Sequence, residues 1–194
     1  MSEAERFLRE LDAIIHGWIS VHRRSTSAAS QLHNVNDQAT KTQSQTPSKI
    51  PRLELLLAMQ ISETESLLSS IRGHVHEYAR VLQQLESLDE RVRHHTFAAQ
   101  EDGVDRIAGI TPQYVVSAVG DRREQYKREY VRRRQLIKDL VVREKIGIAQ
   151  FATEWVEAKV DYATEEDYLE RLRLARMARQ WQANCAENER LISK

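Results

Sequence analysis

From Ile61 to Leu85 the apolar side chains return at the spacing of a helix that buries one stripe. Ile61, Leu68, Val75 and Leu82 stand seven apart, with Ile71, Tyr78 and Leu85 between them. A seven-residue repeat keeps one seam turned toward a neighbouring helix, whereas a half-buried strand alternates every two residues. Leu55, Leu56, Leu57 and Met59 widen the start of the stripe. Nearer the N-terminus, Leu11, Ile14, Trp18, Val21, Ala28 and Leu32 follow the same three- and four-residue steps, with Ser25 as the polar break. Six glycines and three prolines in 194 residues leave few points at which helices can be interrupted, and no strand signal rises above the background. The expected fold is all-α: a long antiparallel helical hairpin or bundle with coiled-coil-like packing, in a single domain over residues 1–194.

Helix boundaries follow from caps and breakers. A first helix is expected over 1–33, opened by Ser2 and Glu5 in a capping-box pattern. Residues 34–50 are polar and poor in aliphatics and read as a linker. Pro51 fits the first turn of a second helix over 51–96. Two glycines mark a loop at 97–111, and Thr111-Pro112 caps a third helix over 112–145. Beyond Gly147, C-terminal helices fill 146–194. Ile148, Phe151, Trp155 and Val156 form an apolar knob, Thr164 and Asp167 mark a new cap, and Leu169, Leu172, Met177 and Trp181 line a last helix to about Asn188. The first two helices most simply fold back on each other, with an intermolecular coiled coil as the alternative.

The third helix carries the information on function. Residues 121–145 hold ten Lys/Arg against five Asp/Glu, while 154–170 hold seven acids against Lys159, so a neutral chain conceals opposed segments. At 100° per residue Tyr126, Tyr130, Ile137 and Val141 share a narrow face, and Arg133 falls in its middle. A cation there must meet a buried carboxylate or another molecule, because an unpaired charge in an apolar seam costs several kcal/mol. Three readings stay open. Lys127, Arg128, Arg132 and Lys138 are solvated flanks while Arg122 and Arg133 pair with the acidic 154–170 segment. Or Tyr126, Tyr130 and Arg133 form the core of a protein interface, where Tyr and Arg are enriched. Or the basic side chains neutralise RNA phosphates while the tyrosines stack on bases, against which five interspersed acids weigh.

Other chemistries find little footing. A lone Cys185 allows no intramolecular disulfide and no cysteine zinc site. His74 and His76 face different sides of a helix, His94 and His95 are adjacent, and no i,i+4 pair of metal ligands is present. No phosphate loop or nucleophile elbow occurs, so neither catalysis nor a cofactor or small-molecule substrate is expected. The N-terminus lacks the apolar core of a secretory signal, and no run approaches the ~20 residues of a membrane span. The expectation is a protein of the cytoplasm, the nucleus or both, without membrane contact.

The segment Tyr126-Lys127-Arg128-Glu129-Tyr130-Val131-Arg132-Arg133-Arg134-Gln135-Leu136-Ile137, with Trp155 following a short apolar stretch, closely resembles the AIRIM family of small helical ribosome-maturation factors. The family pattern is Tyr-basic-basic-x-Tyr-aliphatic-basic-basic-basic-x-Leu-aliphatic. Trp18 in an early helix, a long second helix and the Thr111-Pro112 start of the basic helix agree in order. Tyr130 separates the chain from the sister family, the cyclin-dependent-kinase-interacting protein. The resemblance is specific over a dozen residues plus Trp155, and residues 34–49 and 97–110 depart from it. It implies a non-catalytic adaptor subunit that pairs with a second small helical subunit on an AFG2-type AAA ATPase. Such an assembly acts on pre-ribosomal particles in large-subunit maturation. The residues it points to for partner binding are Tyr126, Lys127, Arg128, Tyr130, Arg132, Arg133, Arg134 and Trp155. The rivals are a coiled-coil structural or tethering subunit built on the 61–85 repeat and an RNA-binding helical module.

Overall fold

A computed structural model describes residues 2–44, 52–95, 108–157, 160 and 163–192. Among them it is all-α: α1 (Glu3–Gln43), α2 (Leu53–His94), α3 (Pro112–Val141), α4 (Ile148–Val156) and α5 (Ala163–Ile192). The chain divides into two compact units to which α1, α2 and α3 each contribute. One comprises residues 1–16, 82–126 and 160–194, the other residues 17–81 and 127–159.

At two helix starts the expected N-cap bond forms, while the Glu5 carboxylate pairs with Arg9 and Arg179 instead of closing a capping box. The Glu5 N–H donates to Ser2 Oγ at 3.1 Å, and the Tyr114 N–H donates to Thr111 Oγ1 at 3.1 Å. The far ends differ. α1 does not stop at His33 but continues to Gln43, ten residues into the expected linker. Val35 and Thr42 extend the seven-residue spacing from Ala28, and both are buried. The polar side chains there serve the helix: Thr40 Oγ1 donates to the Asn36 carbonyl at 2.9 Å and Thr42 Oγ1 to that of Gln38 at 2.8 Å. Residues 45–50, Pro51 and 96–107, where the rest of the linker and most of the second loop were expected, lie outside the described residues, as does the Thr164 side chain. α3 ends at Val141 instead of Lys145. The Val142 and Arg143 N–H groups both donate to the Lys138 carbonyl, at 3.0 and 2.9 Å, and Glu144 turns into the left-handed region (φ 51). That closure ends the helix before Gly147 is reached.

In the unit built from 1–16, 82–126 and 160–194, α1 and α2 run antiparallel, as the Glu10–Arg91 ion pair and the edge contact of Phe7 with His95 show. Its buried side chains include Phe7, Leu8 and Leu11 of α1, Leu85 and Leu88 of α2, and Val115 and Val119 of α3. α5 does not bury the residues its periodicity suggests. Leu169, Met177 and Trp181 are exposed, Trp181 by 69%, while Tyr168 and Ala175 are buried. Polar anchors set its rotation: Tyr168 donates to Asp12 at 3.1 Å, Arg171 to the Gly109 carbonyl at 2.7 Å, and Arg179 pairs with buried Glu5. Gly109 has φ 66, and a Cβ there would collide with the Arg171 guanidinium.

In the unit built from 17–81 and 127–159, Arg24–Glu77, Ser25–Tyr78 and Thr42–Gln60 show α1 and α2 antiparallel again. The α1 seam is as expected, with Trp18, Val21, Ala28 and Leu32 buried and Ser25 fully enclosed. The α2 stripe is rotated from expectation. Ile71 and Tyr78 are buried, but Ile61 is 58% exposed and Gln60 is buried in its place. Leu55, Leu56 and Met59 are also exposed. From α4, Phe151 and Trp155 enter this core while Val156 stays outside.

Candidate functional site

The buried face of α3 reads Val115, Val119, Arg122, Tyr126, Glu129, Arg133 and Leu136, an alternation of four- and three-residue steps in which three positions are charged. The narrow face expected from the tyrosines is therefore rotated, and Tyr130, Ile137 and Val141 sit at its half-buried margin. Arg133, 1% exposed, is the centre of a polar cluster in the unit formed by 17–81 and 127–159. Its Nε donates to Glu129 Oε1 at 2.7 Å, one turn earlier on the same helix. Its guanidinium carbon lies 4.9 Å from the Tyr78 ring centre and 4.7 Å from that of Trp155, so two aromatic rings flank the cation. Glu129 is shared. Arg132 grips it with two bonds, Nε to Oε2 at 2.8 Å and Nη2 to Oε1 at 2.7 Å.

Arg132 also donates to the carbonyls of Glu154 and Glu157, at 2.6 and 2.7 Å, at the C-terminal end of α4. A cation suits the unpaired carbonyls and negative dipole of a helix end. For Arg133 the expected pairing with the acidic segment is corrected: its carboxylate partner is Glu129 of its own helix, while Arg132 reaches backbone oxygens of Glu154 and Glu157 and Arg122 donates to Gln125 at 3.2 Å.

His22 completes the cluster. Arg133 Nη2 lies 3.0 Å from His22 Nδ1, and an arginine can only donate, so Nδ1 accepts and the ring proton sits on Nε2. Ser25 donates to the His22 carbonyl at 3.0 Å, which leaves the Tyr78 hydroxyl to donate to Ser25 Oγ at 2.9 Å. Burial and then the adjacent Arg133 charge lower the His22 pKa to about 4. Protonation would set two donors against each other. Between about pH 4 and the unfolded value near 6.5, the unfolded chain binds the extra proton, so stability is present above 6.5 and falls as pH drops toward 4. The full linkage is about 3 kcal/mol; with the ring half exposed, solvent screening reduces the expected loss to roughly 1–2 kcal/mol. His22→Asn should flatten this part of the profile. Urea midpoints at pH 7 and 4.5 for both proteins would show it, and an unchanged difference between them would remove His22 from the account.

The sequence-identified positions thus separate. Tyr126, Arg133 and Trp155 are buried within the chain, Tyr130 and Arg132 are half-buried, and Lys127, Arg128 and Arg134 are exposed. Arg134 lies over the Tyr130 ring at 5.6 Å, and Arg122 over that of Tyr126 at 5.7 Å. His22, Ser25, Tyr78 and Glu129 belong to the same constellation as Arg133 but were not singled out as a group. The signal available was Glu129 four residues before Arg133, in step with Val115, Val119, Tyr126 and Leu136.

No three His, Cys, Asp or Glu side chains converge as a metal site among the described residues, and no helix among them is long and apolar enough to cross a membrane. No family model matches the chain, nor does any curated protein or solved structure.

Proposed function

We propose that this chain is a non-catalytic adaptor subunit of an AAA-ATPase complex in large ribosomal subunit maturation, acting by protein–protein docking together with a second small helical subunit. The observation that carries the reading is the motif Tyr126–Ile137 with Trp155, whose residues divide into two roles. Tyr126, Arg133 and Trp155 fix the helix from inside, and Lys127, Arg128 and Arg134 are displayed on it. The exposed Met177 and Trp181 of α5 supply apolar surface of the kind that protein partners cover. The proposed location is the cytoplasm, the nucleus or both, where pre-ribosomal particles mature.

The test is affinity purification of the tagged protein with mass spectrometry, beside a Lys127→Glu/Arg128→Glu/Tyr130→Ala variant. These side chains are exposed or half-buried, so helicity should persist. The wild type should recover an AAA ATPase and a second small helical protein, and the variant should lose them about tenfold or more, as for a hot-spot cluster. Wild-type recovery without an ATPase would end this reading. A second reading, a coiled-coil structural subunit, draws on exposed Leu55, Leu56, Met59 and Ile61 of α2. It requires the purified chain to self-associate in sedimentation.

A further inference from the structure

On the outside of the unit formed by 17–81 and 127–159, α2 and α3 leave a groove of about 240 Å³ lined by Arg72, Val75, His76, Arg134, Ile137 and Lys138. Val75 and Ile137 are half-buried and form an aliphatic floor, and the charged lining residues are exposed. Three of the six lining residues are permanent cations and none is a carboxylate. Elsewhere on α3, Arg123, Arg132 and Arg133 each hold an Asp or Glu. Arg72, Arg134 and Lys138 form no ion pair with any described residue. In a chain with 29 acidic residues and zero net charge, this cluster is an unneutralised positive rim around an apolar slot.

We infer that this groove binds an acidic peptide segment with one aliphatic or aromatic anchor, the anchor on Val75 and Ile137 and flanking carboxylates on Arg72, Arg134 and Lys138. Arginine offers carboxylates a planar donor fork, and an apolar anchor uses a floor that a bare anion would leave wet. A single-stranded nucleic acid fits less well. Its bases seek aromatic faces, and the His76 imidazole is the one aromatic ring in the lining. The binding is a property of the purified chain, whichever assembly it serves.

The experiment is fluorescence anisotropy with the full chain and three labelled probes. These are a nine-residue peptide with a central leucine flanked by glutamates, its leucine-to-serine counterpart of equal charge, and an oligouridylate of equal charge. The leucine peptide should bind about tenfold more tightly than the serine peptide, as burial of one leucine side chain allows. Arg72→Glu/Arg134→Glu, both at exposed positions, should weaken it about tenfold or more with helicity unchanged. Equal affinity for the two peptides, tighter binding of the oligouridylate, no binding at all, or an unaffected double variant would each overturn the assignment.

Discussion

Glu129→Ala is expected to destabilise the protein by about 3–5 kcal/mol, more than Arg133→Ala, although the two residues form one ion pair. The asymmetry follows from what each change leaves behind. Without Glu129, the Arg133 guanidinium stays enclosed between Tyr78 and Trp155 with no carboxylate, and Arg132 loses both of its bonds to the acid. Without Arg133, Glu129 keeps the bidentate grip of Arg132, so the loss should be nearer 2–3 kcal/mol, mostly lost ring contact and packing. Replacing the pair together, as Glu129→Leu/Arg133→Met, should restore much of the stability because neither partner is then stranded. Urea denaturation of these proteins together with Glu129→Ala/Arg133→Ala completes a double-mutant cycle. If the two single losses came out equal and additive, the shared carboxylate would not be the organising contact.

Trp155→Ala should cost about 3–5 kcal/mol, the range for emptying a large aromatic site, and lower the melting temperature by roughly 10 °C. The ring is fully buried, lies 5.2 Å from Phe151 and covers one face of the Arg133 guanidinium. Trp155→Phe separates ring from hydrogen bond. The indole Nε1 has no hydrogen-bond partner among the described residues, so phenylalanine should retain the flat face over Arg133 and lose only about 1 kcal/mol. A phenylalanine variant as unstable as the alanine one would mean that the indole N–H matters more than its plane.

These contacts show which parts of the molecule were legible beforehand. The α1 seam could be read because its buried positions are Leu, Ile, Trp and Val with one small serine, and Ser25 finds its partner in Tyr78. The extension of α1 past His33 could not, since Val35 and Thr42 continue the stripe amid residues whose composition is that of a linker. On α3, Arg122, Glu129 and Arg133 occupy positions normally apolar, so counting hydrophobic residues selected Tyr130 and Ile137 and rotated the face. The rotation of α5 was hidden for the converse reason: its buried side rests on polar bonds from Tyr168, Arg171 and Arg179, while its bulkiest apolar residues point away. Arg133 was legible as a residue needing either an internal acid or a partner. What decided between them was Glu129 one turn earlier.

Among the described residues three carboxylates are buried, and each is answered by an arginine one turn later on its own helix: Glu5 with Arg9, Asp89 with Arg93 and Glu129 with Arg133. Each also holds a second arginine, respectively Arg179, Arg123 and Arg132. Long helices with repeating apolar seams fit against their neighbours almost equally well after sliding by one repeat, about 10 Å along the axis. Such a slip would carry each acid with its own-helix arginine away from whatever contact another helix supplies, and set a charged pair against leucine and valine. The buried charges are therefore expected to act as alignment marks, leaving one in-register assembly among several that hydrophobicity alone would tolerate.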